Sequence, residues 1–370
     1  MFSFPIQILP ADVAAETAAL NEKLAKGISN LTNLTDDDID IGSTPKDVVF
    51  EQDGIKVYHY HALAEPSQIM KTPLLIVPPL INGYEVADLQ PDRSLVRNLL
   101  NQGIDVYLND WGYPRQVDKY RTIDDYLGEN GYLDDTVEFI RKHHGVDKIA
   151  LFGICQGGAM STTYSTLNPD KISHLVLTVS PIDFDAYKAN HKPHEGLMFT
   201  MGADADVDKM VAVHGNVPAT VLNESFMMAS PFILNYGKYA DVIDILDDRA
   251  ALQNFLRMEK WLFGGPDAVG QMFKEFIRDF LKGNKLVKGT LEIGGRKVDL
   301  KELTIPILNI FAEKDHIVPP PCTVALGKHV GSKDYTEFAI ATGHIGIYTG
   351  GLSQKVLAPT VGKWMRERGA

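Results

Sequence analysis

Cysteine is almost absent from this chain. Two residues, Cys155 and Cys322, among 370 exclude a disulfide-stapled fold and fit a reducing compartment. An excess of positive charge is lacking too. Thirty-six Lys and Arg against 48 Asp and Glu give a formal net charge of -12. That argues against nucleic acid as a general partner and leaves room for an anionic substrate held by a local basic or backbone N–H site. No apolar run reaches the roughly 20 residues that span a bilayer. Basic residues are missing from Met1 to Pro10, where a leader peptide would carry them, and Arg366 to Ala370 holds no lipidation motif. The expectation is a cytoplasmic protein without a membrane span. Internal repeats, low-complexity segments and metal-ligand spacings are also missing, so neither a metal nor another cofactor is expected. Hydrophobic content of 45% and charged content of 23% are those of a globular chain, long enough for one large α/β domain with an insertion or for two domains.

What is present is an alternation of strand-type and helix-type runs. Asp47–Phe50 and Ile55–Tyr60 flank Asp53-Gly54, a two-residue hairpin signal. Further strand runs are Leu74–Val77, closed by Pro78-Pro79, then Ile104–Leu108, Lys148–Phe152, His174–Val179, Ile305–Ala312 and Tyr335–Ile340. Helices are expected over Arg93–Gln102, capped by Asp92 and ended by Gly103, over Thr122–His143, and over Ser353–Arg366. This spacing predicts βαβ units and a mainly parallel sheet with helices on both faces. Residues 1–40 read as an N-terminal arm. From 183 to 299 the alternation gives way to helices and loops rich in Met and aromatics, such as Phe226-Met-Met228, Phe232-Ile-Leu234, Trp261-Leu-Phe263 and Phe273–Leu281. An inserted helical lid is therefore expected over 183–299, interrupting a core of 41–182 and 300–370. Most of its apolar residues would pack as core, but its place in the chain would lay it over the site.

One stretch organises the rest. The Lys148–Phe152 run leads into Gly153-Ile-Cys155-Gln156-Gly157, and helix-forming residues follow at once. This is Gly-x-Cys-x-Gly, a nucleophile elbow with cysteine where serine is usual. Gly153 and Gly157 must be small because neighbouring backbone crowds the turn. The Gln156 N–H, at a helix N-terminus, is aimed where an oxyanion would form. Asp315, in Glu313-Lys-Asp-His316, follows the Ile305–Ala312 strand, and His344, in Gly343-His-Ile-Gly346, follows the Tyr335–Ile340 strand. Nucleophile, acid and histidine in that order, each past a strand's carboxyl end, form the α/β-hydrolase arrangement. His344 would take the thiol proton from Cys155 or hold a thiolate–imidazolium pair. Asp315 would fix the His344 tautomer and stabilise its charged form. The second oxyanion donor should come from the turn Pro79–Asn82, as the N–H of Leu80 or Ile81. His316 is a candidate auxiliary for activating a hydroxyl, with capping or packing the plainer role. Cys322 reads as structural, and His191-Lys-Pro-His194-Glu195 as a solvated loop without a ligand spacing.

With these residues in place, the chain resembles the catalytic subunit of class III polyhydroxyalkanoate synthases over nearly its whole length. The resemblance rests on Leu74–Val77, Asp105–Leu108 with Asp110–Pro114, His144–Lys148, Gly153–Gly158, Phe255–Trp261, Leu308–Ala312, Asp315-His316 with Val318–Pro320, and Gly343–Tyr348. It implies polymerisation of (R)-3-hydroxyacyl-CoA, with 3-hydroxybutyryl-CoA as the expected monomer, into polyester with release of CoA. It implies Cys155, Asp315 and His344 as the catalytic triad. A second, non-catalytic PhaE-like subunit, a bound growing polyester chain, a place at the granule surface and a homodimer are also implied. The turn Pro78–Gly83 is partly like that of other synthase classes. The chemistry of cysteine is in keeping. Transfer from CoA to Cys155 exchanges one thioester for another at little cost, and attack by a 3-hydroxyl then gives an oxoester in a downhill step. A lid would keep water from competing. Two other readings fit the same residues: a cysteine-nucleophile hydrolase, such as a polyester depolymerase or a dienelactone-hydrolase-like enzyme, and a non-catalytic granule-associated protein on a hydrolase fold.

Overall fold

The computed structural model describes residues 10–190, 196–228 and 237–370. Its main sheet has eight strands: β1 Lys46–Gln52, β2 Ile55–Tyr60, β3 Leu74–Val77, β4 Val106–Asp110, β5 Ile149–Ile154, β6 Ile172–Thr178, β7 Ile307–Ala312 and β8 Tyr335–Ile340. They lie in the order β1-β2-β4-β3-β5-β6-β7-β8. The pairs β1/β2 and β2/β4 are antiparallel, and every later neighbour is parallel. All residues of β3 and β5 are buried, which is why they read as unbroken apolar runs rather than alternating ones. The hairpin turns on Asp53 and Gly54, with φ of 54° and 84°, the left-handed pair that a two-residue turn requires.

Helix α1 (Pro10–Thr32) precedes the sheet, and α2 (Leu95–Leu100), α3 (Tyr132–His144), α4 (Gln156–Leu167) and α5 (Gly351–Arg366) follow its strands. Two local expectations change. The helix expected over Thr122–His143 is split into Ile123–Leu127 and α3, because the Gly128–Gly131 link places Asn130 at φ 57°, which no helix continues through. Helix α2 is capped by Ser94, whose Oγ accepts from the Arg97 N–H at 3.0 Å, and not by Asp92. Arg93 and Ser94 pair with Asp88–Gln90 as a short strand, so the helix starts later and Asp92 instead accepts from Gln90 Nε2 at 2.7 Å.

The described residues form two compact units. The smaller draws on the described residues within 1–40 and 230–260. In it, a Cβ on Gly27 of α1 would come 2.6 Å from Leu246 Cβ, Asn30 Nδ2 donates to the Leu246 carbonyl at 2.9 Å, and Arg249 pairs with Asp38 at 3.0 Å. The larger unit takes 41–229 and 261–370. Within the larger unit, Phe184 packs on Phe199 and Phe276, and Phe276 stacks on Phe280, with centroids 4.9, 6.2 and 4.8 Å apart. Glu275 Oε2 accepts from the Ile123 N–H at 2.7 Å, tying this region to the core. Phe232-Ile-Leu234 and His191–Glu195 lie outside the described residues. Among the described residues no helix is long and apolar enough to cross a membrane.

Candidate active site

β5 ends at Ile154 and α4 begins at Gln156, so the reversal is made at Cys155. Its φ of 50° and ψ of -116° cost a residue with a β-carbon about 1–3 kcal/mol. Several contacts enforce that conformation. The Cys155 N–H donates to the Thr178 carbonyl at 3.0 Å, and the Gly158 N–H to the Cys155 carbonyl at 2.9 Å. A Cβ on Gly157 would sit 2.6 Å from the Pro78 oxygen and would also overlap the Val77 oxygen, and one on Gly153 would meet Gly158 N at 2.9 Å. The Thr178 hydroxyl donates to the Gly153 carbonyl at 3.2 Å and receives the Tyr348 hydroxyl at 2.8 Å.

Asp315 and His344 lie on the turns beyond β7 and β8. Asp315 is buried. Its Oδ1 accepts from the N–H groups of Ile317 and Val318 at 3.0 and 2.9 Å, which leaves Oδ2 for His344 Nδ1 at 2.7 Å. With Nδ1 bonded to Asp315, the ring's Nε2 is left free to face the Cys155 sulfur, whose charge acts on the ring. Burial alone would drive the proton off this ring. The Asp315 carboxylate and the Cys155 sulfur outweigh it and hold His344 well above its ordinary range. Tyr348 is pushed the same way, by burial first and then by the charges of Cys155 and Asp315, and stays a neutral phenol. A thiol, a ring able to take and return its proton, and a carboxylate behind the ring are the parts of covalent acyl transfer.

On the oxyanion side, the Gln156 N–H stands at the start of α4. The Leu80 N–H donates to Gln156 Oε1 at 3.0 Å, so it is engaged. The Ile81 N–H has no partner among the described residues. Trp111 Nε1 donates to the Pro78 carbonyl at 2.9 Å and Trp261 Nε1 to the Gly83 carbonyl at 2.8 Å, fixing the two ends of this turn. Leu80, Ile81 and Gln156 line a cavity of about 10 Å³ with Val269, Met272 and Phe273, room for about one water.

The structure thus gathers Cys155, Asp315 and His344, and sets Gln156, Leu80 and Ile81 beside one another. His316 stands apart from that hydrogen-bonded set. It is half-buried, its ring has no hydrogen bond among the described residues, and its carbonyl accepts from the Gly196 N–H at 3.2 Å. Burial, then the nearby Asp183, Asp315 and Asp185, pushes the Cys322 thiol up to about 12, so it stays protonated. Thr178, Tyr348 and the Gln156 carboxamide are parts of the site that the sequence reading assigned no role. Tyr348 belongs to the Gly343–Tyr348 stretch that carried the family resemblance, and that was its signal. Nothing in the pattern around Thr178 marks it.

Residues 12–99 match the family described as poly-beta-hydroxybutyrate polymerase (PhaC) N-terminus, and residues 72–350 match the alpha/beta hydrolase fold family. The chain is 45% identical over 365 residues to the poly(3-hydroxyalkanoate) polymerase subunit PhaC of Allochromatium vinosum, across 99% of this chain and 100% of that one. Its identity to the PhaC subunit of a Synechocystis species is 44% over 370 residues, across 100% of this chain and 96% of that one. Among solved structures it is similar in fold to a soluble variant of monoglyceride lipase from Saccharomyces cerevisiae. The TM-score is 0.55 at 12% identity, across 90% of this chain and 98% of the lipase.

Proposed function

The chain belongs to the poly(3-hydroxyalkanoate) polymerase PhaC family, and from that premise we propose that it builds polyester from (R)-3-hydroxyacyl-CoA on Cys155. The observation that carries the assignment of residues is the buried Asp315–His344 hydrogen bond within electrostatic reach of Cys155 on a strained elbow. The Cys155 sulfur, its proton passed to His344, attacks the thioester carbonyl. The tetrahedral oxyanion is met by the Gln156 N–H and a donor from the 79–82 turn. The bond to the CoA sulfur then breaks, and His344 returns the proton to the departing thiolate. In elongation His344 takes the proton of a 3-hydroxyl, that oxygen attacks the Cys155 thioester, and the C–S bond breaks as an oxoester forms. Asp315 keeps the ring oriented and charged when it holds a proton.

The inserted helices act as a lid that favours the alcohol over water, supported by Val269, Met272 and Phe273 reaching the oxyanion side. A second, non-catalytic subunit, a homodimer and a cytoplasmic place at the polymer granule surface belong to the same reading and rest on the family resemblance. Supplying (R)-3-hydroxybutyryl-CoA should give CoA release together with insoluble polyester. Cys155→Ala should abolish both, because the covalent carrier is gone, while Cys322→Ala stays active. Polymer at the normal yield from Cys155→Ala, or free acid in place of polymer, contradicts the proposal, the second in favour of a cysteine hydrolase.

A further inference from the structure

The chemistry above uses the backbone N–H of Gln156 and leaves its side chain without a role. That side chain is buried, with 5% of the residue exposed, and folds back across the elbow to accept the Leu80 N–H at 3.0 Å. Leu80 stands in the middle of a turn whose ends are held by Trp111 on Pro78 and Trp261 on Gly83. Between those ends Asn82 takes φ 71°, a left-handed turn position that asparagine tolerates better than most side chains.

We propose that the Gln156 carboxamide is a positioning residue for the oxyanion hole. By claiming the Leu80 N–H it locks the middle of the 78–83 turn against the elbow, and it leaves the Ile81 N–H as the donor that works beside the Gln156 N–H. A donor stabilises a developing oxyanion only when it is aimed before the charge appears. One residue then sets both halves of the hole, its backbone as the first donor and its side chain as the anchor of the second. A carboxamide suits the task because it accepts a hydrogen bond without placing negative charge beside the oxyanion, as a glutamate would. An aliphatic residue would leave the buried Leu80 N–H without its partner. This inference rests on the reading of Cys155 as the nucleophile.

Gln156→Met, of similar length without an acceptor, and Gln156→Ala test it, since both keep the backbone N–H. Two rates are compared: single-turnover CoA release from (R)-3-hydroxybutyryl-CoA, and alkylation of Cys155 by iodoacetamide. Alkylation is displacement at a saturated carbon and develops no oxyanion, whereas acylation does. Acylation should fall at least about tenfold, toward the roughly 10²–10³ that outright loss of one donor costs. Alkylation should stay within about twofold of the parent, and that also shows the elbow intact. Unchanged acylation overturns the proposal, as does alkylation that falls in step with acylation in both variants, which marks a structural role alone. CoA release surviving in Cys155→Ala would instead sink the nucleophile assignment, whatever the Gln156 variants do.

Discussion

His344 has to carry a positive charge where little water reaches it, and burial opposes that charge. The Asp315 carboxylate at 2.7 Å and the Cys155 sulfur reverse the balance and raise the ring's pKa. The sign of the pH effect follows. A histidine whose folded pKa is raised contributes stability that is fully present below its unfolded value near 6.5 and is lost as pH rises through the folded value. Asp315→Asn keeps an oxygen for the ring but removes the charge. We therefore expect it to be less stable than the parent by about 1–3 kcal/mol near pH 6, with the gap narrowing toward pH 9. Thermal or urea unfolding across that range measures this, and a gap that stays flat would mean the carboxylate is not what holds the proton. Elongation in the same variant should fall by about 10³–10⁴, the scale of losing the carboxylate behind a catalytic histidine.

At the scale of elements, the site depends on how closely α4 can approach β3. Gly157 lies against the carbonyl oxygens that leave β3, and a Cβ there would meet the Pro78 oxygen at 2.6 Å. Backbone oxygens cannot rotate away as a side chain can, so the helix would have to move and carry Cys155 with it. Gly157→Ala should cost about 1–3 kcal/mol and lose most CoA release. Gly351, at the start of α5, has nothing within 4 Å of its missing Cβ. Gly351→Ala should instead be neutral or gain about 0.5–1 kcal/mol from helix propensity, with activity kept. Calorimetry on the two variants checks the contrast. Equal destabilisation would show that crowding at the elbow is not what makes Gly157 necessary.

At the scale of the whole molecule, substrate entry is the difficulty. The cavity that Leu80, Ile81 and Gln156 share with Val269, Met272 and Phe273 has room for about one water. On the proposed reading of the inserted segments as a lid, a CoA thioester enters when they open, at a cost of a few kcal/mol. A second subunit that binds the open form better would raise activity by shifting that equilibrium, without placing a residue in the site. The isolated chain should polymerise weakly and after a lag, with a large rise when the partner is added. Backbone amides of 196–228 and 261–299 should change their hydrogen exchange on the same addition. Full-rate polymerisation from time zero, unaffected by any co-expressed subunit, would remove the regulatory reading and leave the triad untouched.

By itself the sequence determined what short-range pattern can carry. Unbroken apolar runs marked the buried strands, Asp53-Gly54 marked the hairpin, and Gly-x-Cys-x-Gly followed by Asp315 and His344 past later strands marked the candidate site. Each of these is written in neighbouring residues or in chain order. Tertiary structure decided what depends on distant backbone meeting. The choice between Leu80 and Ile81 turned on a hydrogen bond to a residue 76 positions away, and the support from Tyr348 to Thr178 joins residues 170 positions apart. The grouping of 230–260 with 1–40 likewise rests on contacts such as Asn30 with Leu246. No local spacing encodes these, because a hydrogen bond depends on where two atoms arrive and not on how many residues lie between them.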